Sequence, residues 1–446
     1  MEEIYMDIQI PKIPNHEYIE MCFSAPTVKK SGKNEKEIFE NLGNGQFSHT
    51  IATIGVTLGS RKPRVIYHPI EEWDDIISRR LMRGYTIIKT QKMEKKKITY
   101  NDAVNEYKPL EDSEVETFIN WLRQGAQIAF EESYTIDIDD ISDEMIQLGT
   151  NILKELIAGY KTMSVAAFNM KLRQLYQAIP RQIKRYSDEL MKSTASEEDK
   201  YKKILSEQDL LDFMIQQVKA SNAKAIVTDH RPTILEAFGF DEFRAVTPEE
   251  EAFIKFRMNE FSSNAKQYIR AWKVTNHKTE ERFKEFCTKY GNDIESNIHH
   301  LFHGSDTKNW WSIATNGLYL DPDKIAGTGA TVCGKAFGYG SYFAPSAQKS
   351  IGYTSSSGSY WKNGSDKKGY MAIFKVATGD KVNGIYDIYA EGKGTPQHWS
   401  DLQRIKPGAD CTWARGGAGY VRNDEVIVYR EEQSTIEYLI EFSTTT

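Results

Sequence analysis

The sequence predicts an α+β protein of several domains: a small β-rich domain over residues 1–105, an all-α block over 106–232 and an antiparallel-sheet domain over 233–446. Three observations predict it. The chain has 446 residues, more than a single hydrophobic core organises, so two or three domains are expected. The middle of the chain repeats apolar residues at three- and four-residue spacing, as helices that bury one face do. The last part switches to short alternating runs broken by glycine-rich loops, the pattern of antiparallel strands.

Composition narrows the function classes. Hydrophobic residues make up 40% and charged residues 27%, as in soluble globular proteins. No apolar run reaches bilayer length, and the acidic start MEEIYMDIQ lacks the basic-then-apolar order of a secretory signal. The protein is therefore expected inside the cell, without a membrane partner. Cys22, Cys287, Cys333 and Cys411 show no CxxC spacing, so reduced and mostly buried thiols are expected rather than a disulfide framework or structural zinc. Between Arg61 and Lys97 eleven basic residues face five acidic ones, on a chain of net charge −6. Such an island suits a polyanion such as a nucleic-acid backbone, or is a solvated charged face.

In the first domain, turns fall at Asn41-Leu42-Gly43-Asn44-Gly45 and at Gly59-Ser60-Arg61. They precede one amphipathic helix, EEWDDIISRRLMRGY, with Trp73, Ile76, Ile77 and Leu81 on one face and Gly84 as a left-handed cap. In the helical block, Ser142-Asp143-Glu144 opens a helix carrying Met145, Leu148, Ile152, Leu156 and Tyr160, and Ser164 opens another with Phe168, Leu172, Leu175, Tyr176 and Ile179, ended by Pro180. No polar constellation stands out in this block, so a bracing or regulating role is expected. In the third domain, Tyr370–Val376, Glu425–Tyr429 and Thr435–Phe442 read as strands, the last a half-buried edge or flank strand.

The chemistry concentrates in that third domain. In HHLFHGS, His299 and His303 are four apart, as in a zinc pair, but the position after His299 is His300 rather than the glutamate a metalloprotease needs, and Gly304 follows at once. His303 then ends a strand, either as a structural histidine or as part of a His-Gly corner where a flat ligand meets bare backbone. Thr307–Thr315 reads as a helix capped at Asn316-Gly317, and Tyr319–Lys335 as a mobile glycine-containing loop. Gly327-Thr328-Gly329 lacks the third glycine of a dinucleotide fingerprint, since position 332 is Val. In FGYGSYFAPSAQKSIGYT, Tyr342 and Tyr353 flank Lys349-Ser350 among glycines. Such a pair either plugs a core at a turn or walls a slot for a flat ligand.

HGS, then GYGSYFAPSAQKSIGYT, then the Glu425 of NDEVIVY together resemble the catalytic domain of the poly(ADP-ribose) polymerases, diphtheria-toxin-like ADP-ribosyltransferases with a His-Tyr-Glu signature. AWKVTNHKTEERF resembles the family's strand leading into that domain. DISDEMIQLGTNILKELIAGY and LRQLYQAIPRQI resemble the helical regulatory domain of DNA-activated members, and WDDIISRRLMRGYT with GSRKPR is similar to a WGR domain, although no Trp-Gly-Arg tripeptide is present.

The resemblance implies NAD+ as substrate and no metal. It implies that Tyr342 and Tyr353 stack the nicotinamide ring, that the Gly304 backbone and the Ser350 hydroxyl hold its carboxamide, that Ser305 helps bind the dinucleotide, and that His303 bonds an adenosine-side ribose hydroxyl. Glu425 would steady the positive charge that builds on the sugar as nicotinamide leaves, and would polarise the hydroxyl of the next acceptor during chain elongation. Lys349 is expected to seat an acceptor pyrophosphate. The implied function is a poly(ADP-ribose) polymerase that modifies acceptor proteins, itself included, in response to DNA strand breaks during DNA repair. The alternatives are a mono-ADP-ribosyltransferase or a catalytically silent DNA-damage scaffold. The compartment would be the nucleus in a eukaryote and the cytoplasm or nucleoid in a bacterium.

Overall fold

The structure is a computed structural model describing residues 13, 16–24, 34–54, 64–83, 85–89, 107–134, 136, 138, 141–183, 186–222, 230–261, 267–292, 295–320, 337–355, 358–359, 362–363, 367–419 and 421–443. It combines helices with antiparallel sheets in an α+β architecture. The chain forms two compact units, one of Met1–Lys97 with Phe130–Leu211 and one of Ile98–Ala129 with Asp212–Thr446. Two of the three unit boundaries fall inside helices Ser113–Ser133 and Glu197–Asn222, so the residues read from sequence as one helical block divide between the two units.

The first unit holds a five-stranded antiparallel sheet built from β1 (Tyr18–Ser24), β2 (Asn34–Asn41), β3 (Gln46–Ile54), β4 (Arg64–Pro69) and β5 (Thr86–Lys89), in the order β4-β3-β2-β1-β5. The β2–β3 hairpin turns through Gly43 and Gly45, both at positive φ, where glycine alone is unstrained. Helix Trp73–Met82 seals this sheet with Trp73 and Ile77, which pack with Ile19, Met21, Phe39 and Phe47. Gly84, the Gly59-Ser60-Arg61 turn and residues 92–97 of the basic island lie outside the described residues.

In the same unit, helix Asp143–Gly159 starts at Ser142, whose hydroxyl accepts from the Met145 N–H, and helix Val165–Ala178 starts at Ser164, which accepts from the Ala167 N–H. Both serines satisfy an N–H that a helix start leaves without a partner. Met145, Ile152, Leu156 and Tyr160 are buried as the spacing predicts, but Leu148 is exposed and Gly149 lies inward. The reason is close approach, because a Cβ on Gly149 would sit 2.3 Å from Ile179 Cδ1.

This region also departs from the expectation of no polar constellation. Buried Glu207 accepts from the Tyr176 hydroxyl at 3.0 Å and pairs with Arg181 and with Lys203, the latter at 2.9 Å, while Lys203 also holds Glu189 at 2.7 Å. Helical periodicity reveals apolar faces but not which distant charges meet between them.

The second unit is built on a five-stranded antiparallel sheet. Its strands are β6 (Phe240–Ala245), β7 (Tyr268–Asn276), β8 (Ile298–Gly304), β12 (Lys368–Ala377) and β16 (Ser434–Ser443), in the order β6-β7-β16-β12-β8. A second sheet contains β9 (Ser341–Phe343), β13 (Ile385–Asp387), β14 (Cys411–Ala414) and β15 (Glu425–Val428), in the order β13-β14-β15-β9 with β13 and β14 parallel. Between β9 and β12 in sequence lies a hairpin of β10 (Gly358–Ser359) and β11 (Lys362–Asn363).

The sheets meet at Phe302 and Ala344, which exchange backbone hydrogen bonds of 2.8 and 2.9 Å. Phe343, Phe374, Val376, Val426, Val428 and Trp310 are buried in the core they share. Helix Ser113–Ser133 joins it by stacking Phe118 on Trp272, ring centroids 3.6 Å apart.

β16 corrects the edge-strand expectation: it is central, paired on both sides with β7 and β12. Its alternating glutamates suggested a solvent face, but Glu441 is only 1% exposed and pairs with Arg270 and Lys368, while Glu437 pairs with Lys273 and His300. Basic partners on neighbouring strands replace the water those carboxylates would otherwise need.

Candidate active site

The site forms where β8 ends, β9 runs beside β15, and helix Ala347–Ile351 crosses their tips. His303 and Gly304 close β8, opposite Ala372 and Met371 of β12. Tyr342 sits mid-β9 opposite Ile427, which places it near the start of β15, where Glu425 stands. Ser350 and Lys349 lie on the helix, and Tyr353 follows in the turn that leaves it.

All eight residues singled out from the sequence, His303, Gly304, Ser305, Tyr342, Lys349, Ser350, Tyr353 and Glu425, line one cavity of about 240 Å³. Sequence reasoning missed other polar members of this lining, among them Gln216 and Asn309. Asn309 donates to the Ser305 hydroxyl at 2.9 Å. Its signal was its place six residues after His303, at the start of helix Trp310–Asn316. Gln216, in helix Glu197–Asn222, carries no local signal, because only tertiary packing brings it there. Residues 321–335 of the glycine-containing loop lie outside the described residues.

Gly304 has a reason to be glycine besides a ligand. A Cβ there would fall 1.9 Å from the Ser350 carbonyl oxygen and 2.8 Å from its carbon. The strand end and helix Ala347–Ile351 therefore approach closely, which brings Ser350 beside the His-Gly corner.

His303 Nδ1 is 2.8 Å from the Tyr342 carbonyl oxygen. A carbonyl only accepts, so the ring proton sits on Nδ1 and Nε2 is left as an acceptor. Burial lowers the imidazole pKa and outweighs the Tyr342 bond, which raises it, so the ring stays neutral. A neutral imidazole with an accepting Nε2 suits a ribose hydroxyl.

The two tyrosines differ. The Tyr342 hydroxyl accepts from the Phe337 N–H at 2.9 Å and donates to the Gly338 carbonyl at 2.8 Å, which fixes its ring. Burial, reinforced by the nearby Tyr429 and Glu425, raises its pKa well above the ordinary phenol value. Tyr353 is 42% exposed, so one ring is held rigidly and the other is open to solvent.

Glu425 is 8% exposed and is ion-paired with Lys349. Burial works against the Lys349 ammonium, but the bond and charge of Glu425, helped by Tyr353, raise its pKa overall. Next to it, the Asp424 carboxylate accepts from the Gly416 N–H at 2.8 Å and the Trp413 indole N–H at 2.7 Å. Burial would raise the Asp424 pKa, yet these bonds and Arg415 bring it below the usual value. The turn that delivers Glu425 is thus anchored by its neighbour. Among the described residues, no group of three His, Cys, Asp or Glu side chains is placed to hold a metal ion, and no helix is long and apolar enough to cross a membrane.

Part of the chain is similar in sequence to known proteins. Residues 255–444 match the family model of the poly(ADP-ribose) polymerase catalytic domain. A putative poly(ADP-ribose) polymerase-like protein 100L of invertebrate iridescent virus 6 is 27% identical over 193 residues, covering 43% of this chain and 94% of the viral protein. Poly(ADP-ribose) polymerase 2 of Zea mays is 28% identical over 192 residues, and that of Arabidopsis thaliana is 28% identical over 178. These matches cover 39% and 36% of this chain, but only 26% and 25% of the plant proteins' own length.

Proposed function

We propose that residues 255–444, which match the family model of the poly(ADP-ribose) polymerase catalytic domain, form an ADP-ribosyltransferase domain that takes NAD+ as substrate, and that the whole protein transfers ADP-ribose from NAD+ to acceptor side chains, its own included, and elongates the chain. The observation that carries this reading is the meeting of a neutral His303, a bare-backbone Gly304, two tyrosine rings and the buried Glu425 in one cavity.

The nicotinamide ring lies between Tyr342 and Tyr353. Its carboxamide is held by the Gly304 backbone and the Ser350 hydroxyl, and His303 Nε2 accepts from an adenosine-side ribose hydroxyl while Ser305 lines the same end. Glu425 binds the 2′-hydroxyl of the other ribose. As the bond to nicotinamide lengthens, positive charge grows on the sugar and the carboxylate's attraction grows with it, which lowers the barrier rather than merely tightening binding. Departing nicotinamide takes the bond's electron pair. The acceptor hydroxyl or carboxylate then bonds the sugar carbon, and a hydroxyl acceptor gives up its proton toward Glu425. Lys349 seats the pyrophosphate of an incoming acceptor chain.

DNA breaks act through the first domain, with the helical region restraining the site until they bind. The basic surplus between Arg61 and Lys97 supports this part of the reading. The domain bounds that go with it are 1–105, 106–232 and 233–446.

The test is incubation of the full chain with labelled NAD+, with and without nicked DNA. Label should enter protein, lengthen into a ladder, and increase with DNA. Glu425→Gln should stop elongation while NAD+ binding stays within about threefold. No nicotinamide release from the wild type under any condition overturns the enzyme reading, and single labels without a ladder favour mono-transfer.

A further inference from the structure

If Tyr342 is the fixed wall of the nicotinamide slot, as this reading has it, the structure also bears on what fixes it. The ring is tied to the turn that leads into β9: the Phe337 N–H donates to the Tyr342 hydroxyl at 2.9 Å, and that hydroxyl donates to the Gly338 carbonyl at 2.8 Å. A turn holds a ring still only where the turn itself is held. On one side the Tyr339 N–H donates to the Gln397 carbonyl at 2.8 Å. On the other stands Tyr429, just past the end of β15 and four residues after Glu425, which by strand alternation puts both on one face. Its hydroxyl lies 2.8 Å from the Phe337 carbonyl oxygen and 2.8 Å from the Thr412 hydroxyl. A carbonyl only accepts, so the Tyr429 proton goes to Phe337 and Thr412 donates to the phenol oxygen. The ring itself packs beneath Gly340, where a Cβ would come within 3.3 Å of Tyr429 Cδ1. Tyr429 is buried and Thr412 is fully so, so water competes weakly for these bonds.

We propose that Tyr429 is a positioning residue for nicotinamide: acting through Phe337, its hydroxyl holds the Tyr342 ring where the pyridine ring stacks. Phe337 receives one hydrogen bond at its carbonyl from Tyr429 and gives one from its N–H to Tyr342, so a single residue joins the two phenols. β15 then serves the site twice. It carries Glu425 at its start, and the residue just past its end supports the wall opposite the departing group, which keeps the carboxylate and the ring in one frame. The hydroxyl of Tyr429 faces its turn and Thr412, so the residue acts on the ligand only through Tyr342, and that dependence can be tested.

Tyr429→Phe keeps the ring beneath Gly340 and removes the hydroxyl. In the full chain it should raise the Kd of free nicotinamide, measured calorimetrically, about three- to tenfold, the effect of losing one neutral hydrogen bond. KM for NAD+ should rise by a similar factor while kcat stays within about twofold, because stacking is shared by the ground and transition states. The decisive measurement is a double-mutant cycle with Tyr342→Phe, read as nicotinamide Kd. With the Tyr342 hydroxyl gone, Tyr429→Phe should cost less than about twofold, since the bond it supports no longer exists. Thermal melting checks that each variant is folded. Should Tyr429→Phe unfold because the Thr412 hydroxyl is left buried without a partner, adding Thr412→Val removes that group, and the cycle is run in that background. An unchanged Kd in folded Tyr429→Phe, or the same fold-loss with and without the Tyr342 hydroxyl, overturns the proposal. Tyr342→Ala run alongside separates the two levels: unchanged nicotinamide affinity in that variant overturns the stacking reading of Tyr342, whereas a large loss there with additive effects of the two hydroxyls overturns only the positioning role.

Discussion

Replacing Gly304 by alanine tests whether backbone approach shapes the slot. The new Cβ would lie 1.9 Å from the Ser350 carbonyl oxygen, whereas Cβ contacts below 3.0 Å are essentially never found, so β8 and helix Ala347–Ile351 must part by at least 1.1 Å. The obstacle is backbone, with Thr354 Cγ2 a further 3.2 Å neighbour, so rotamer changes give no relief. Overpacking of this kind costs roughly 1–3 kcal/mol. In a unit this large, each 1 kcal/mol lowers the melting temperature by about 2–4 °C. The effect on catalysis should exceed that on stability, because the helix that moves carries Lys349 and Ser350, and a displacement of about 1 Å at a reacting centre can cost on the order of a hundredfold in rate. Thermal melting and steady-state nicotinamide release at saturating NAD+ measure the two separately. Gly125→Ala is the control: its Cβ meets nothing within 4 Å, and in helix Ser113–Ser133 it should raise stability by about 0.5–1 kcal/mol. A folded Gly304→Ala enzyme with unchanged kcat and KM would refute the reasoning.

Three more outcomes are expected. Glu207→Ala leaves the partly buried Arg181 without its carboxylate, while Lys203 keeps Glu189, and should destabilise the first unit by about 1–3 kcal/mol, seen as a lower urea midpoint. Burial pushes the Asp410 carboxyl up to about 6 from an ordinary 3.8, against the opposing bond from Asn292. The folded state therefore keeps that proton over a range in which the unfolded chain has lost it, so Asp410 contributes stability at pH 4 that is lost as pH rises through 6. Asp410→Asn, which keeps an oxygen for Asn292, should raise the melting temperature at pH 7.5 and leave it unchanged near pH 4; equal effects at both pH values would contradict this. Cys287 and Cys411 are buried thiols, and burial raises the Cys411 pKa strongly, so Cys411 should resist a thiol reagent in the native protein and react on unfolding.

Much of the fold was legible because its signals are local. Ser142 and Ser164 were recognisable as caps because a hydroxyl at a helix start binds an N–H three residues on. Gly317 ends helix Trp310–Asn316 with a φ of 81°, as the Asn-Gly pair suggested. The failures share a cause. β16 looked like an edge because its glutamates alternate, yet Arg270, Lys273 and Lys368, far away in sequence, make those carboxylates tolerable inside a sheet. The Glu207 network was invisible for the same reason, since its arginine is 26 residues away. Gly149 rather than Leu148 lies inward because a neighbour, Ile179, leaves no room for a side chain there.

By itself, the sequence determined which residue types could do chemistry here and in what order along the chain, because the functional groups of a histidine, a glycine, two tyrosines and a glutamate are set by residue identity alone. Tertiary structure decided that they face one cavity, that His303 is neutral with a free Nε2, that Lys349 pairs with Glu425, and that Gln216 and Asn309 join them. These depend on distance and burial. A pKa, an ion pair and a cavity wall each arise between groups far apart in the chain, and the pairing of β8 with β12 and β9 with β15, together with the packing of helices Ala347–Ile351 and Glu197–Asn222, sets how close those groups come.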